Sequence, residues 1–403
     1  MTTIHHPSLQ KDAHSWGAVL AMSLAAFALV ASEFMPVSLL TPIAADLSVT
    51  EGQAGQGISV SGLFALFTSL LIPAVAARVD RKLLLLSLTL LMIISGTVVA
   101  FAPNYSIFMA GRALIGVAIG GFWSLSAATA MRLVPEDQVT RAMAIVNGGN
   151  ALATVVAAPL GSFLGALIGW RGAFFCVVPV ALLASAWLLF SLPAMKAVGS
   201  KGSTNVFQLM KKMPVALGMV AVSVFFMGQF MLFTYLRPFL ETVTHVSVSM
   251  LSLMLLILGL SGLAGTFLIE IFLKNGLHRT LVVIPMLMAV IALALVSFGS
   301  SSIATAVLLG FWGLVATAAP VGWWTWLAKT LPDDAEAGGG LMVAIVQLAI
   351  ALGATVGGFV FDLSGYRATF ELSAALLVVA AVLAMLAARA ASGLSRASVD
   401  TAN

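Results

Sequence analysis

Two ionisable residues stand inside long apolar stretches of the sequence, where a charge is expensive. Glu33 lies within the apolar run 16–43, and Arg112 lies within the run 106–131. An ionised side chain in such a run is costly unless it is paired or hydrated, so it is a functional candidate by default. Burial favours the neutral form of Glu33, which can load and release a proton beside Arg112 as its electrostatic partner. The alternatives are hydration of Glu33 near a helix end and structural pairing of Arg112 with carbonyls or water.

Amide side chains in apolar runs form a second group of candidates. Asn147 and Gln347 each follow an Ile-Val pair, and Asn150 is placed about one turn from Asn147 on the same helix face. Such amides either hydrogen-bond a polar ligand or hold helices together, the latter contributing about 0.6 kcal/mol on average. We predict ligand contact for these three amides, and Gln229 adds a further buried polar group.

Aromatic side chains complete the candidate binding site, because a flat heterocycle stacks on them. Most aromatic residues in apolar helices pack against neighbours or lipid instead, and that alternative stands for each one individually. Of the aromatic residues in the apolar runs, we single out Trp123, Tyr235 and Trp323 as ligand contacts.

The composition indicates that lipid surrounds most of the elements that must position these residues. Of 403 residues, 61% are hydrophobic and 8% are charged, whereas soluble domains carry about 25% charged residues. A bilayer core of about 30 Å takes about 20 apolar residues per helix. The apolar runs therefore predict an all-α membrane protein with twelve spans, near 17–43, 57–77, 83–101, 106–131, 142–167, 173–192, 215–236, 250–272, 280–298, 303–327, 339–361 and 368–388.

Basic residues predict the orientation of these spans. They concentrate in alternate loops, and the positive-inside rule then places both termini in the cytoplasm, with Arg171, Arg237 and Arg367 in outer loops. The first apolar run is too long for a cleaved signal peptide. The predicted units are an N-terminal tail (1–15), a six-helix bundle (16–192), a flexible cytoplasmic linker (193–214), a second six-helix bundle (215–388) and a C-terminal tail (389–403).

The two predicted bundles echo each other at an offset of about 200 residues, which is typical of a duplicated unit. Arg81-Lys82 corresponds to His278-Arg279, and Gly169-Trp170-Arg171 corresponds to Gly365-Tyr366-Arg367. Two six-helix halves related by an axis along the membrane normal resemble the arrangement of major facilitator transporters, and this resemblance implies a ligand site near the midplane between the halves.

The residues that metal binding, catalysis or ATP hydrolysis would require are not found together in this sequence. Cys176 is the single cysteine, and the histidines are scattered over the polar tail and two isolated loop positions. We therefore predict no metal site and no enzyme, and the missing Gly-x-x-x-x-Gly-Lys loop argues against an ATP-driven pump. The sequence has no basic stripe with interleaved aromatics, so we predict no nucleic-acid partner.

Several motifs resemble the twelve-helix drug:proton antiporter branch of the major facilitator superfamily. The loop 77–82 is similar to its Gly-x-x-x-Asp-Arg-x-Gly-Arg-Lys signature, although Ala77 and Asp80 depart from the pattern. Arg112 followed by Gly116 is similar to the family's buried Arg and Gly, and Ala158-Pro159-Leu160-Gly161 to the Gly/Pro motif of exporters. The resemblance implies a proton-coupling role for Glu33 and Arg112, and gating roles for Arg78, Asp80, Arg81, Lys82, Pro159 and Gly161.

Within that branch the sequence looks like bacterial purine ribonucleoside efflux pumps. The segments that carry this likeness are 33–42, 121–124, 158–165, 234–238 and 320–323. Sugar efflux transporters share part of it, so sugar and multidrug efflux stay open, as do uptake and a non-transporting receptor or scaffold. The resemblance implies a monomer in the bacterial inner membrane that exports purine ribonucleosides such as inosine and guanosine. A proton gradient would supply the energy, without a cofactor.

Overall fold

The computed structural model describes residues 8–195, 209–331 and 335–400, and within them the side chains of 16–390 except at 136, 140, 275 and 335–337. All regular structure in these ranges is helical. The α-helices are α1 (Ser8–Leu47), α2 (Glu51–Ala76), α3 (Arg81–Ala100), α4 (Tyr105–Leu133), α5 (Val139–Phe175), α6 (Val177–Ser191), α7 (Met213–Thr234), α8 (Leu236–Thr242), α9 (Val248–Phe298), α10 (Ser302–Ala316), α11 (Ala319–Thr330) and α12 (Ala335–Asp400).

Ten helical stretches in the described part of the chain are long and apolar enough to cross a membrane. Two of them, Arg141–Ser191 and Gly338–Ala390, contain 51 and 53 residues. At about 1.5 Å per residue, each exceeds twice the thickness of an apolar bilayer core of about 30 Å. The predicted all-α, multi-pass membrane fold is confirmed.

Both of these long stretches are broken at a glycine of the internal repeat. Gly169 has φ 75° and ψ 163°, and Gly365 has φ 77° and ψ −175°. Residues with a Cβ rarely adopt this backbone conformation, whereas glycine does so readily. The two equivalent Gly-aromatic-Arg motifs therefore make the same kind of break. The stretch α9 is broken at a different glycine, Gly276.

Helix starts follow local capping, and some differ from the predicted spans. Thr50 and Gln53 form a capping box, with both hydrogen bonds at 3.0 Å, so α2 begins at Glu51 instead of near 57. The helix α1 begins at Ser8 and so extends into the predicted tail 1–15. Of the predicted linker 193–214, residues 196–208 lie outside the described residues.

Glycines allow close packing within and between the two halves of the chain. In the first half, a Cβ on Gly116 would lie 2.2 Å from the Ser61 carbonyl oxygen, so α4 lies directly against α2. Between the halves, a Cβ on Gly62 of α2 would lie 2.9 Å from the Gln347 carbonyl oxygen of α12. The helices α2 and α12 therefore lie in tight contact along the boundary between the two halves, which we call the seam. We call its two ends the Asp362 end, near Thr50, and the Asp80 end, near the loop between α2 and α3.

Candidate functional site

Arg112 of α4 is fully buried, and its guanidinium donates hydrogen bonds to neighbouring helices. Its Nη1 donates to the Ser32 carbonyl oxygen at 2.7 Å, and Nη2 donates to the Glu33 carbonyl oxygen at 3.0 Å. Two further bonds reach α2, from Nε to the Gly57 carbonyl oxygen at 3.1 Å and from Nη2 to Ser61 Oγ at 3.2 Å. Arg112 thus ties α1, α2 and α4 together beside Glu33.

A proline explains why a helix carbonyl is available to Arg112. Within an α-helix the carbonyl of residue i accepts from the N–H of residue i+4, and proline has no N–H. Pro36 lies inside α1, so the Ser32 carbonyl has no N–H at that position. The Arg112 guanidinium supplies the missing donor with a positive charge.

The Glu33 carboxylate is buried and meets the other half of the chain. Its Oε1 accepts from Gln347 Nε2 of α12 at a donor–acceptor distance of 3.5 Å, and the two residues are 5% and 6% exposed. The Gln347 Oε1 is also buried and has no hydrogen-bond partner among the described residues. One predicted coupling residue and one predicted ligand residue therefore meet across the seam.

An aromatic cluster adjoins this pair. Phe34, the neighbour of Glu33, stacks on Phe230 of α7 with ring centroids 5.6 Å apart and meets the edge of Phe233 at 6.4 Å. The contact joins α1 to α7, again across the two halves. Phe34 and Phe230 were not among the predicted site residues.

A second arginine uses a second proline of α1 in the same way. Pro42 leaves the Ser38 carbonyl without its intrahelical donor, and Arg237 Nη1 of α8 donates to that oxygen. Arg237 is 6% exposed, and its Nε also donates to Glu241 Oε1 at 2.8 Å. Arg237 therefore lies buried in the helix α8, whereas the sequence predicted a loop position for it. A carbonyl freed in the other half allows the guanidinium to be buried.

Further contacts close the Asp362 end. Asp362 of α12 accepts from Thr50 Oγ1 at 2.6 Å and from the Gly52 main-chain N–H at 3.0 Å, at the first turn of α2. Tyr235 is fully buried, donates to the Ala354 carbonyl oxygen at 2.8 Å and stacks on Phe361. A Cβ on Gly55 of α2 would lie 2.2 Å from the Tyr235 Oη. Tyr235 therefore belongs to this closed end and lies apart from the Glu33–Gln347 pair in its recorded contacts.

The other predicted ligand residues have separate surroundings. Asn147 is exposed and donates to the Met143 carbonyl oxygen of its own helix at 2.9 Å, while Asn150 is half-buried one turn along. Gln229 is half-buried, and its Oε1 has no partner within the described part of the chain. Trp123 packs edge-on against Phe122, and Trp323 is buried against Phe225 and Trp326.

The predicted gating loop is anchored within the first half. Asp80 Oδ1 accepts from the main-chain N–H of Lys82 at 2.8 Å and from that of Met195 at 3.1 Å. The main-chain N–H of Arg81 donates to the Met195 carbonyl oxygen at 3.2 Å, and the Arg78 side chain is exposed. The substitute acid at Asp80 thus caps α3 and holds the chain that follows α6.

The predicted gating residues of α5 lie at two different contacts. Pro159 removes the donor for the Val155 carbonyl, and a Cβ on Gly259 of α9 would lie 2.9 Å from that oxygen. Gly161 faces α1, since a Cβ there would lie 2.7 Å from Ser38 Oγ. The Val155 carbonyl that Pro159 frees therefore borders the other half, and Gly161 borders the helix that carries Glu33.

A sequence model described as the Major Facilitator Superfamily matches residues 22–343. The chain belongs to the major facilitator superfamily. As a member, it is a multi-pass membrane transporter and not an enzyme, as its sequence predicted. The buried pair Glu33–Gln347 lies between the two halves, which is where this superfamily places its ligand site.

Two relatives and one solved structure show how far the likeness extends. The chain is 61% identical over 379 residues to the transcription regulatory protein OpdE of Pseudomonas aeruginosa, over 93% of this chain and 94% of OpdE. It is 39% identical over 369 residues to the purine ribonucleoside efflux pump NepI of Escherichia coli K12, over 92% and 93%. A solved bacterial homolog of the human lysosomal transporter Spinster, inward-facing and unoccupied, matches with a TM-score of 0.77 at 16% identity, over 94% and 97%.

Proposed function

We propose that this transporter is a proton-coupled antiporter that exports purine ribonucleosides. The observation that carries the proposal is the buried hydrogen bond between Glu33 of one half and Gln347 of the other, beside Arg112. It puts an ionisable group where the halves must separate and rejoin. The relative named as a purine ribonucleoside efflux pump supports the substrate class and the direction.

Gln347 can accompany Glu33 through a proton cycle. The ionised carboxylate only accepts, and it takes the amide N–H of Gln347, as in this conformation. A protonated Glu33 donates an O–H, for which the unpartnered Gln347 Oε1 is an acceptor. The pair can therefore keep a hydrogen bond in either protonation state, while Arg112 stays fixed to main-chain oxygens.

The purine ribonucleoside would occupy the space between the halves next to this pair. Its hydroxyl and N–H donors suit the free amide oxygens of Gln347 and Gln229. Its flat base suits an aromatic wall, for which Phe34 and Phe233 are the nearest candidates. Asn150 would join the site from the Asp80 end, whereas Asn147 would contribute little to binding because its amide is bonded within its own helix.

Alternating access follows from which end is joined. In the described part of the chain, hydrogen bonds join the halves at Glu33 with Gln347, at Ser38 with Arg237 and at Thr50 with Asp362. These bonds close the Asp362 end, which we assign to the periplasm by the positive-inside pattern. Each glycine break at Gly169 and Gly365 would then be a reversal at the outer surface, which gives twelve crossings. Both termini would be cytoplasmic, in the inner membrane, and the transporter would work as a monomer.

A second candidate function is that of a membrane receptor that acts on gene expression. The observation in its favour is the name of the 61% identical relative, a transcription regulatory protein. Counterflow of labelled inosine in proteoliposomes separates the two, because a transporter exchanges internal for external substrate and a receptor does not.

The test of the proposed function is a substrate panel. Purified protein in pH-sensitive proteoliposomes is exposed to inosine, guanosine, a hexose and a lipophilic cation, and proton movement is recorded. We expect a saturable proton flux with the two nucleosides only. A response restricted to the hexose or to the lipophilic cation would replace nucleoside export with sugar or multidrug efflux.

A further inference from the structure

Trp324 of α11 presents an exposed aromatic face next to two buried tryptophans. It is 46% exposed, whereas Trp323 and Trp326 are 3% and 2% exposed. Trp323 packs against Phe225 of α7, and the Trp326 ring occupies the space that a Cβ on Gly218 of α7 would need. The sequence singled out Trp323 for ligand contact, but the aromatic face that α11 leaves accessible belongs to its neighbour Trp324.

The exposed face of α11 is turned away from its own half of the chain. A Cβ on Gly322 would lie 3.1 Å from Leu281 Cδ2 of α9, and the two buried tryptophans face α7. On another side, a Cβ on Gly339 of α12 would lie 3.7 Å from Trp324 Cζ3. Gly339 precedes Asp362 by 23 residues on α12, which is about 35 Å at 1.5 Å per residue. Trp324 therefore lies beside the start of α12, toward the Asp80 end.

The internal repeat places Ala127 of α4 opposite Trp324. Gly116 of α4 packs against a main-chain carbonyl of α2, and Gly313 of α10 packs in the same way against one of α9. Ala127 and Trp324 each follow these glycines by 11 residues, and both are exposed. Equivalent residues of two halves related by an axis along the membrane normal lie at similar depth on opposite sides of the cavity. A small side chain thus faces the tryptophan and leaves room for a flat group.

Trp123 connects this position with the central site. It lies one turn before Ala127 on the same face of α4. Trp123 and Phe34 both pack against one apolar cluster, which includes Ala31 of α1. Phe34 is the aromatic neighbour of the central pair. A flat group at Trp324 would therefore pass Trp123 on its way to Phe34.

We propose that Trp324 is the base-stacking residue of a loading site, which a nucleoside occupies from the cytoplasm before it reaches the Glu33–Gln347 pair. The ligand class is a flat heteroaromatic base, because every such base has a π-face that stacks on an indole. A free sugar has no aromatic face to offer. The purine ribonucleoside as ligand and the cytoplasm as the side of entry rest on the proposed function, whereas the exposed aromatic face does not.

The Michaelis constant for inosine tests the loading site in the full-length transporter. Counterflow of labelled inosine is measured in proteoliposomes over a range of concentrations for the wild type, Trp324→Leu and Trp324→Phe. Loss of base stacking implies a rise in KM of about tenfold for Trp324→Leu, with a maximal rate and a melting temperature close to those of the wild type. Trp324→Phe keeps a stacking face and should resemble the wild type. The control Trp187→Leu removes a tryptophan of α6 that is 41% exposed and should leave KM unchanged.

Tryptophan fluorescence separates failure of this site from failure of the proposed function. The wild type and Trp324→Phe are titrated with inosine, with ribose and with the planar cation ethidium. We expect inosine to quench the wild type more strongly than the variant, and ribose to quench neither. If ethidium alone quenches Trp324, nucleoside export is wrong and the stacking face stands for another flat ligand. An unchanged KM in Trp324→Leu, or equal quenching of both proteins by every ligand, would overturn the loading site.

Discussion

Arg237 donates a hydrogen bond to the Ser38 carbonyl oxygen, which Pro42 deprives of its intrahelical donor four residues along α1. Arg112 binds the Ser32 carbonyl, which Pro36 frees, by the same principle. One arginine comes from each half, and both hold α1. The bond from Arg112 stays within its half, whereas the bond from Arg237 crosses the seam and must break when the Asp362 end opens.

Pro42→Ala is therefore expected to weaken closure of the Asp362 end. Alanine returns an N–H that competes with Arg237 for the Ser38 carbonyl, and a hydrogen bond from a charged donor contributes about 1.5–3 kcal/mol. The ratio of open to closed molecules should rise by about tenfold or more. The change is measured by double electron–electron resonance, as the distance between spin labels at the exposed positions Phe101 and Ile303 in a Cys176→Ser background.

Pro73→Ala is the matched control for that experiment. It restores an N–H to the Ser69 carbonyl, whose neighbouring donor is Ser124 of the same half at 3.4 Å. Its distance distribution should equal that of the wild type. An unaltered distribution in Pro42→Ala would show that the contact between Arg237 and Ser38 does not hold this end closed.

Asp362→Asn is expected to act in the same direction by a different route. The carboxylate caps the first turn of α2 through Gly52 and Thr50, where negative charge is favoured by the helix dipole. An amide weakens both bonds, so the same label pair should show a larger fraction of molecules at the longer distance of the open state. Asp46→Asn, which breaks an ion pair with Arg171 inside one half, should leave the distribution unchanged, and an equal response of the two variants would contradict this role for Asp362.

Gln347→Ala and Asn147→Ala should differ in nucleoside binding. Gln347 is buried beside Glu33 with a free amide oxygen, whereas the Asn147 amide is bonded within its own helix. Loss of one neutral hydrogen bond costs about 0.5–1.5 kcal/mol, so calorimetry should show inosine binding weakened several-fold by Gln347→Ala and nearly unchanged by Asn147→Ala. The reverse order would move the ligand toward the Asp80 end.

Arg112→Lys should destabilise the transporter although it keeps the charge. A lysine ammonium cannot match the fork that serves Ser32, Glu33 and Gly57, and each buried acceptor left unpaired costs about 1–3 kcal/mol. We expect a lower melting temperature in detergent and loss of transport. Arg171→Lys, at a partly exposed ion pair, is the control. Wild-type stability in Arg112→Lys would mean that the main-chain contacts contribute little.

The sequence could predict the residues whose type alone is unusual in an apolar helix. Glu33, Arg112 and Gln347 stand out because charges and amides are costly in a membrane, and Gly169 and Gly365 stand out through the repeat. These predictions required no knowledge of which residues meet.

Partners across the seam could not be predicted in this way. Arg237 is a charged residue at the end of an apolar run, as is typical of a loop. Its burial depends on a carbonyl that lies 199 positions earlier in the chain. The sequence signal for that acceptor was Pro42, which frees the Ser38 carbonyl. Asn147 and Gln347 are equivalent in sequence but not in environment. Gln347 faces the Glu33 carboxylate. Tyr235 precedes Pro238 by three residues, as Glu33 precedes Pro36, but it donates to the Ala354 carbonyl instead.

Glu33→Gln tests the central claim, which is that Glu33 carries the coupled proton. Glutamine imitates the permanently protonated acid and is cheap to bury relative to a carboxylate. The measurement is paired in proteoliposomes: inosine export driven by an imposed pH gradient, and inosine exchange without a gradient. We predict that export is lost while exchange is retained with a wild-type melting temperature. Gradient-driven export at the wild-type rate in Glu33→Gln would contradict the account.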